Sequence, residues 1–224
     1  MQRPGFRRLA TWLLVLALGA GAALWWGHRR VLALAGDLLV AEDPAASADF
    51  IVVSGAAPFA SAVEIVRLSR EGVRGRVVVP RWPQEQIDDE RRRLDVAYVE
   101  PEQRVRDILA RGGVAAQDVV TLTEVVDGTG PESTAVAAFV RAQGAHSVLV
   151  VTARNHGARM RWLLRRALPA AVDVRVRSPR TDRFAPTAWW SNRDQTRQVM
   201  TEYLRWANDL VLGDPWARRA PRER

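Results

Sequence analysis

The chain has 224 residues, 48% of them apolar, which suits one domain with a sizeable core plus a small appendage. Cysteine is absent and the three histidines, His28, His146 and His156, show no paired spacing, so disulfides, thiolate chemistry and a zinc site are not expected. The net charge of +8 is carried by arginine alone, in clusters such as 91–93 and 165–166 that lack interleaved aromatics; a nucleic-acid partner is not expected, while attraction to anionic lipid or phosphate stays open.

Residues 9–26 form an uncharged run preceded by Arg3, Arg7 and Arg8 and followed by His28, Arg29 and Arg30. The run is slightly short of the ~20 residues that span a hydrocarbon core, and Trp25 and Trp26 suit a membrane interface. A cleaved signal peptide is the competing reading, because Ala20-Gly21-Ala22 resembles a cleavage site. An uncleaved anchor is favoured, since the run exceeds the usual length of about 7–15 residues and two tryptophans follow the cut. Arg7-Arg8 also resembles the start of a twin-arginine signal, but nothing near it strengthens that reading. Three arginines and the terminal amine before the run, against two arginines after it, place the amino terminus inside. The expectation is a single-pass protein of the cytoplasmic (inner) membrane with an extracytoplasmic domain. Residues 1–30 are then stub and anchor, and 31–48 a linker or amphipathic segment.

Beyond the linker, strand-like stretches at 49–54, 76–79, 119–122, 147–151 and 172–176 alternate with helical ones at 59–71, 101–111, 131–143 and 156–167. The alternation predicts an α/β fold, a three-layer Rossmann-like sandwich with a mainly parallel sheet, over residues 49–213. Pro101 and Pro131 suit first helical turns, and Gly72, Gly112 and Gly144 lie where helices should stop. A last helix over 194–212 carries Val199, Met200, Tyr203, Leu204 and Leu210 at mixed three and four spacing, as for packing on the sheet. Residues 214–224 read as a basic tail, and 81–99 as an irregular surface excursion suited to a lid.

Three strand ends should converge at one edge of such a sheet. The first, at 54–58, is a small-residue turn in which Ser54 and Gly55 leave amides open to an anion. The second, at 128–134, brings Glu132 and Thr134 to a helix start, where an ordinary cap is the alternative. The third joins the apolar strand at 147–151 to the helix near His156. Thr152, Arg154, Asn155, His156 and Arg159 would line the crevice there, with His156 and Arg159 on one helical face. A surface or capping role for His156 and a solvated Arg159 are the alternatives.

With these segments in order, residues 34–212 resemble the ElyC/SanA/YdcF family of bacterial envelope-associated domains. The resemblance rests on 36–40 and 48–55, on Glu102 with Arg106 and the stretch 108–119, and on Trp189-Trp190 followed by 202–204. Its most specific part is Val150-Val151-Thr152 with His156 and Arg159, similar to the family pattern Val-Thr-Ser-x-x-His-x-x-Arg. The chain departs from the family at Ala56, Ala57 and Ala153. The family's Thr-x-Glu-Asn element survives only as Thr134, with Val136 and Ala137 in place of the carboxylate and amide, unless Glu132 supplies the carboxylate from the preceding turn.

The resemblance implies a membrane-tethered Rossmann-like sandwich linked to envelope integrity, barrier function toward antibiotics and the handling of lipid-carrier intermediates in polymer synthesis; one member is reported to bind S-adenosylmethionine. No settled reaction comes with it. Together with the residues, it leads to a membrane-anchored envelope protein whose crevice binds a phosphorylated ligand, such as a polyprenyl-phosphate sugar carrier. In an enzyme, His156 would be the acid or base, Arg154 and Arg159 would hold phosphate oxygens, and Glu132 or Thr134 would orient substrate or water. The alternatives are a noncatalytic scaffold that recruits cell-wall enzymes and a nucleotide or S-adenosylmethionine binder, although no Gly-x-Gly-x-x-Gly follows the first strand. No cofactor is assigned.

Overall fold

The computed structural model describes residues 4–83 and 86–211; the expected tail at 214–224 and the first three residues lie outside them. Five strands form one sheet in the order β3-β2-β1-β4-β5, every neighbouring pair parallel: β1 (Phe50–Val53), β2 (Arg76–Arg81), β3 (Val119–Val125), β4 (Ser147–Val151) and β5 (Asp173–Arg177). Parallel pairs need long crossovers, and helices α2 (Pro58–Arg70), α3 (Gln86–Arg93), α4 (Pro101–Arg111), α5 (Thr129–Ala142) and α6 (Gly157–Ala167) supply them. The fold is therefore the α/β sandwich that the alternating pattern implies.

Strand periodicity of two divides the core. Phe50 and Val52 of β1 face α5 and α6, where Val136, Val140, Met160 and Leu164 are buried. Ile51 and Val53 face α2 and α4, against Ala62, Ile65, Val105 and Leu109. A strand covered on both faces has no polar side, which is why β1 and β4 read as unbroken apolar runs. Strand β2 runs two residues past its expected end at Val79, through the buried Pro80. Its ladder with β3 shifts register between Val79 and Arg81, where the proline ring has no N–H to give. Within the expected irregular stretch, α3 is a short charged helix laced by Asp88–Arg91, Asp89–Arg92 and Glu90–Arg93 pairs.

Helix α1 (Pro4–Asp37) covers both the apolar run and the first part of the expected linker without a break, 34 residues in all. Among the described residues no helix is long and apolar enough to cross a membrane. Many side chains of the 9–26 run lie outside the description. The carboxyl-terminal end of α1 is seated on the domain in a third apolar cluster built from Leu39, Phe184, Trp189 and Val199, with Leu32, Ala35, Tyr203 and Trp206 at its margin. Trp189 Nε1 donates to the Leu32 carbonyl at 2.7 Å and the Tyr203 hydroxyl donates to the Ala35 carbonyl at 2.6 Å.

The last helix, α7 (Arg193–Val211), departs from the expectation of packing on the sheet through five apolar positions. Val199 and Tyr203 face the third cluster, with Trp206 alongside, whereas Met200, Leu204 and Leu210 are exposed, Leu204 at 72%. The physical reason is that α7 meets α1 and the 189–191 turn with one side and His156 and Arg159 with its polar side, which leaves Met200, Leu204 and Leu210 without an apolar partner among the described residues.

Gly36 sets how closely α1 approaches the domain. A Cβ there would overlap the Pro186 carbonyl and come within 2.7 Å of Trp189 Cδ1, whereas one at Gly27 would meet nothing within 4 Å. We expect Gly36→Ala to lower the Tm and expose the Trp189 indole to a fluorescence quencher, and Gly27→Ala to be neutral or stabilising by up to about 1 kcal/mol. Equal behaviour of the two variants in thermal unfolding would show that the seam does not depend on this contact.

Candidate functional site

The order β3-β2-β1-β4-β5 reverses direction between β1 and β4, and in such sheets the crevice opens at the carboxyl ends of the strands beside the reversal. A hollow of about 830 Å³ lies there. Its walls come from the turn after β1 (Gly55, Ala56), the start of α5 (residues 128–132), the turn after β4 (Ala153, Asn155, His156), Arg159 of α6 and one side of α7. Of the residues singled out from sequence, Gly55, Glu132, Asn155, His156 and Arg159 therefore share one cavity. Ser54 and Thr152 are fully buried just behind it, while Arg154 and Thr134 are not among its walls.

The Arg154 backbone is tied to the loop after β5, where its amide donates to Asp182 Oδ2 at 2.8 Å. The amides of the first turn are not open to a ligand, contrary to expectation. Gly55 N donates to both oxygens of Glu132, at 3.1 and 3.2 Å, and Ala56 N to Ser54 Oγ at 3.4 Å. The start of α6 is closed as well, since Ala158 N donates to the Leu39 carbonyl and Gly157 is packed against Ala41. Only close-fitting backbone allows this, and it leaves α5 as the helix whose amino end opens into the hollow. Gly128 turns the chain there at φ +103, and the amides of Thr129 and Gly130 find no acceptor among the described residues.

Two hydrogen-bonded networks line the cavity. In the first, Thr152 Oγ1 donates to Ser54 Oγ at 3.0 Å, and Ser54 and the Gly55 amide hold the Glu132 carboxyl. Burial pushes this carboxyl up to about 7, against the pull of those hydrogen bonds and of Arg159. Glu132 thus brings a carboxyl to the cavity wall, while Val136 and Ala137 are sealed in the core.

In the second network, Glu202 Oε1 accepts from His156 Nδ1 at 2.9 Å and from Arg159 Nε at 2.5 Å. Arg159 Nη1 also donates to Asp209 Oδ2 at 3.1 Å, and Nη2 to Thr129 Oγ1 at 2.8 Å. His156 Nε2 lies 2.9 Å from the same hydroxyl. Burial opposes the charge on Glu202, but His156 and Arg159 outweigh it and hold the carboxyl down at about 2. His156 and Arg159 do share a helical face, as their spacing predicts, and neither is a surface residue.

The hollow is balanced in charge rather than cationic. Arg159, Arg197 and Arg205 stand against Asp127, Glu132, Glu202 and Asp209. Sequence reasoning missed Thr129, Glu202 and Asp209 as site residues, along with the rest of the α7 wall. A signal existed, because Gln198, Thr201, Glu202, Arg205, Asn208 and Asp209 recur at three and four spacing and form a polar stripe on α7. Among the described residues no cluster of metal-ligating side chains is present.

Glu132 gives the site a pH signature. Its folded value of about 7 lies above the ordinary 4.5, so between these pH values the native state binds more protons than the unfolded chain, and stability falls as pH rises through that window. We expect Glu132→Gln to gain on the wild type across the window by up to about 3 kcal/mol, and by no more above it. Urea unfolding at a series of pH values checks this; parallel curves for the two proteins would refute it. No family model matches this chain, nor does any curated protein or solved structure.

Proposed function

We propose that the chain is a membrane-anchored envelope domain of the ElyC/SanA/YdcF type whose hollow binds a phosphate-bearing ligand, a lipid carrier or related cell-wall precursor. The observation that carries the reading is the open amino end of α5, where two amides without acceptors among the described residues face a cavity walled by Arg159 and rimmed by Arg197 and Arg205. Arg159 lines the hollow and spends three of its five N–H groups on Glu202, Asp209 and Thr129. Because its charge is already balanced, hydrogen-bond geometry rather than net attraction would select the anion.

The anchor rests on the uncharged run at 9–26, its flanking arginines and Trp25 and Trp26. In this reading α1 is a single-pass span of the inner membrane with the domain extracytoplasmic, so the hollow works beside the bilayer. Glu132 with a value near 7 and a carboxylate-oriented His156 are the two groups able to exchange protons with a bound ligand.

Titration of the full-length protein in detergent with pyrophosphate and with a polyprenyl-phosphate analogue tests the reading. Saturation at a hundredfold excess over Kd corresponds to about 2.7 kcal/mol of added stability, visible as a rise in Tm. A Tm unmoved by millimolar ligand, in wild type and His156→Ala alike, removes the proposal.

A second reading, a noncatalytic scaffold for cell-wall enzymes, is favoured by one observation. Val136 and Ala137 stand buried where the family has a carboxylate and an amide. Double substitution of His156 and Arg159 by alanine separates the two in a deletion strain. A scaffold still complements, provided the variant is folded by circular dichroism, and a ligand-handling protein does not.

A further inference from the structure

The second network is ordered beyond what holding an anion requires. Glu202 is ionised and accepts from His156 Nδ1, so a neutral imidazole carries its proton on Nδ1 and leaves Nε2 as a bare acceptor. The neighbour of that Nε2, at 2.9 Å, is Thr129 Oγ1. The same oxygen accepts from Arg159 Nη2, which has no lone pair to offer, so the hydroxyl proton is directed to the imidazole. His156, Arg159 and Glu202 are all buried, whereas Thr129 is half-buried on the cavity wall at the open end of α5. A hydroxyl, an imidazole and a carboxylate thus lie in series, with the hydroxyl facing the ligand space and a guanidinium beside it to favour the alkoxide.

We propose that Thr129 is a nucleophile that takes a phosphoryl group from the ligand, with His156 as its base and Glu202 as the carboxylate that orients the imidazole. This rests on the phosphate-binding reading above. Thr129 Oγ forms a bond to phosphorus as the bond to the leaving oxygen breaks. The hydroxyl proton passes to His156 Nε2, and the departing oxygen, in line on the far side of phosphorus, takes a proton from solvent. Water then attacks the phosphothreonine from that far side, Thr129 Oγ leaves and recovers the proton held on Nε2, and the water's surplus proton returns to solvent. The sum is one ester or anhydride bond hydrolysed by one water. The Thr129 and Gly130 amides, without acceptors among the described residues, and the Arg159 guanidinium all stand at the cavity wall. Several donors beside a fixed cation suit the three equatorial oxygens of a transferring phosphoryl group better than the single oxyanion of a carbonyl adduct.

The test uses the full-length protein in detergent with p-nitrophenyl phosphate, quenched in acid over a time course. The expected result is a burst of p-nitrophenol and one phosphoryl group on Thr129 in the tryptic peptide 112–141. Thr129→Ser keeps the label and Thr129→Val loses it. His156→Gln slows release about a hundredfold or more. Pyrophosphate still raises the Tm of Thr129→Val, which shows that the variant is folded and binds. Release that survives Thr129→Val at the wild-type rate overturns the proposal. So does an unlabelled wild type whose Tm still responds to pyrophosphate, and in that case the binding reading stands. Absence of both label and Tm response takes down both. Acetylation of Thr129 by p-nitrophenyl acetate with no phosphorylation overturns the phosphoryl assignment.

Discussion

A buried guanidinium must find carboxylates, and Arg159 finds them 43 and 50 residues further along the chain, at Glu202 and Asp209 of α7. Removing a charge of this kind from water costs several kcal/mol, recovered only when the partners and their hydrogen bonds are all in place. Taking away one partner of such a pair costs about 3–5 kcal/mol. This requirement draws α7 across the end of the sheet and makes it a wall of the hollow. It also holds the Thr129 hydroxyl together with the imidazole, so α5, α6 and α7 are tied through one planar cation.

The sheet decides which residues can take part. Because strand order reverses between β1 and β4, the helices that follow them leave toward opposite faces, α2 on one side and α6 on the other. The gap between them receives the start of α5 from β3. Two carboxyls then line the same cavity under opposite settings. Glu202, among cations, stays charged throughout the physiological range, while Glu132, enclosed with hydroxyls and one amide, gives up its proton only around neutrality. Environments that separate two like groups in this way divide orientation from proton exchange.

Much of the architecture was legible because it is written in local periodicity. Strand β4 has the boundaries that its apolar run suggests, and the three-residue spacing of His156 and Arg159 places both on Glu202. What escaped was non-local. The partner of a buried arginine cannot be read from its neighbours in sequence, so Arg159 looked available to an anion when it is largely committed. The turn after β1 looked open because small residues leave room, yet Glu132 fills that room from 77 residues away. Thr129 was hidden behind the ordinary expectation of a helix cap; Gly128 precedes the helix instead, without a side chain to cap it, and the threonine hydroxyl turns to His156. Leu204 and Leu210 show the converse, apolar residues at helical spacing that face outward because nothing among the described residues covers them.

Helix α7 serves two masters. Its Val199 and Tyr203 side grips the end of α1, and its Glu202 and Asp209 side supports the imidazole and guanidinium. With no slack segment between α1 and this seam, a rocking or twisting of the long amino-terminal helix cannot be absorbed before it reaches α7. The stiffness of that joint makes the aim of the Glu202 carboxylate a property of how the whole rod is held.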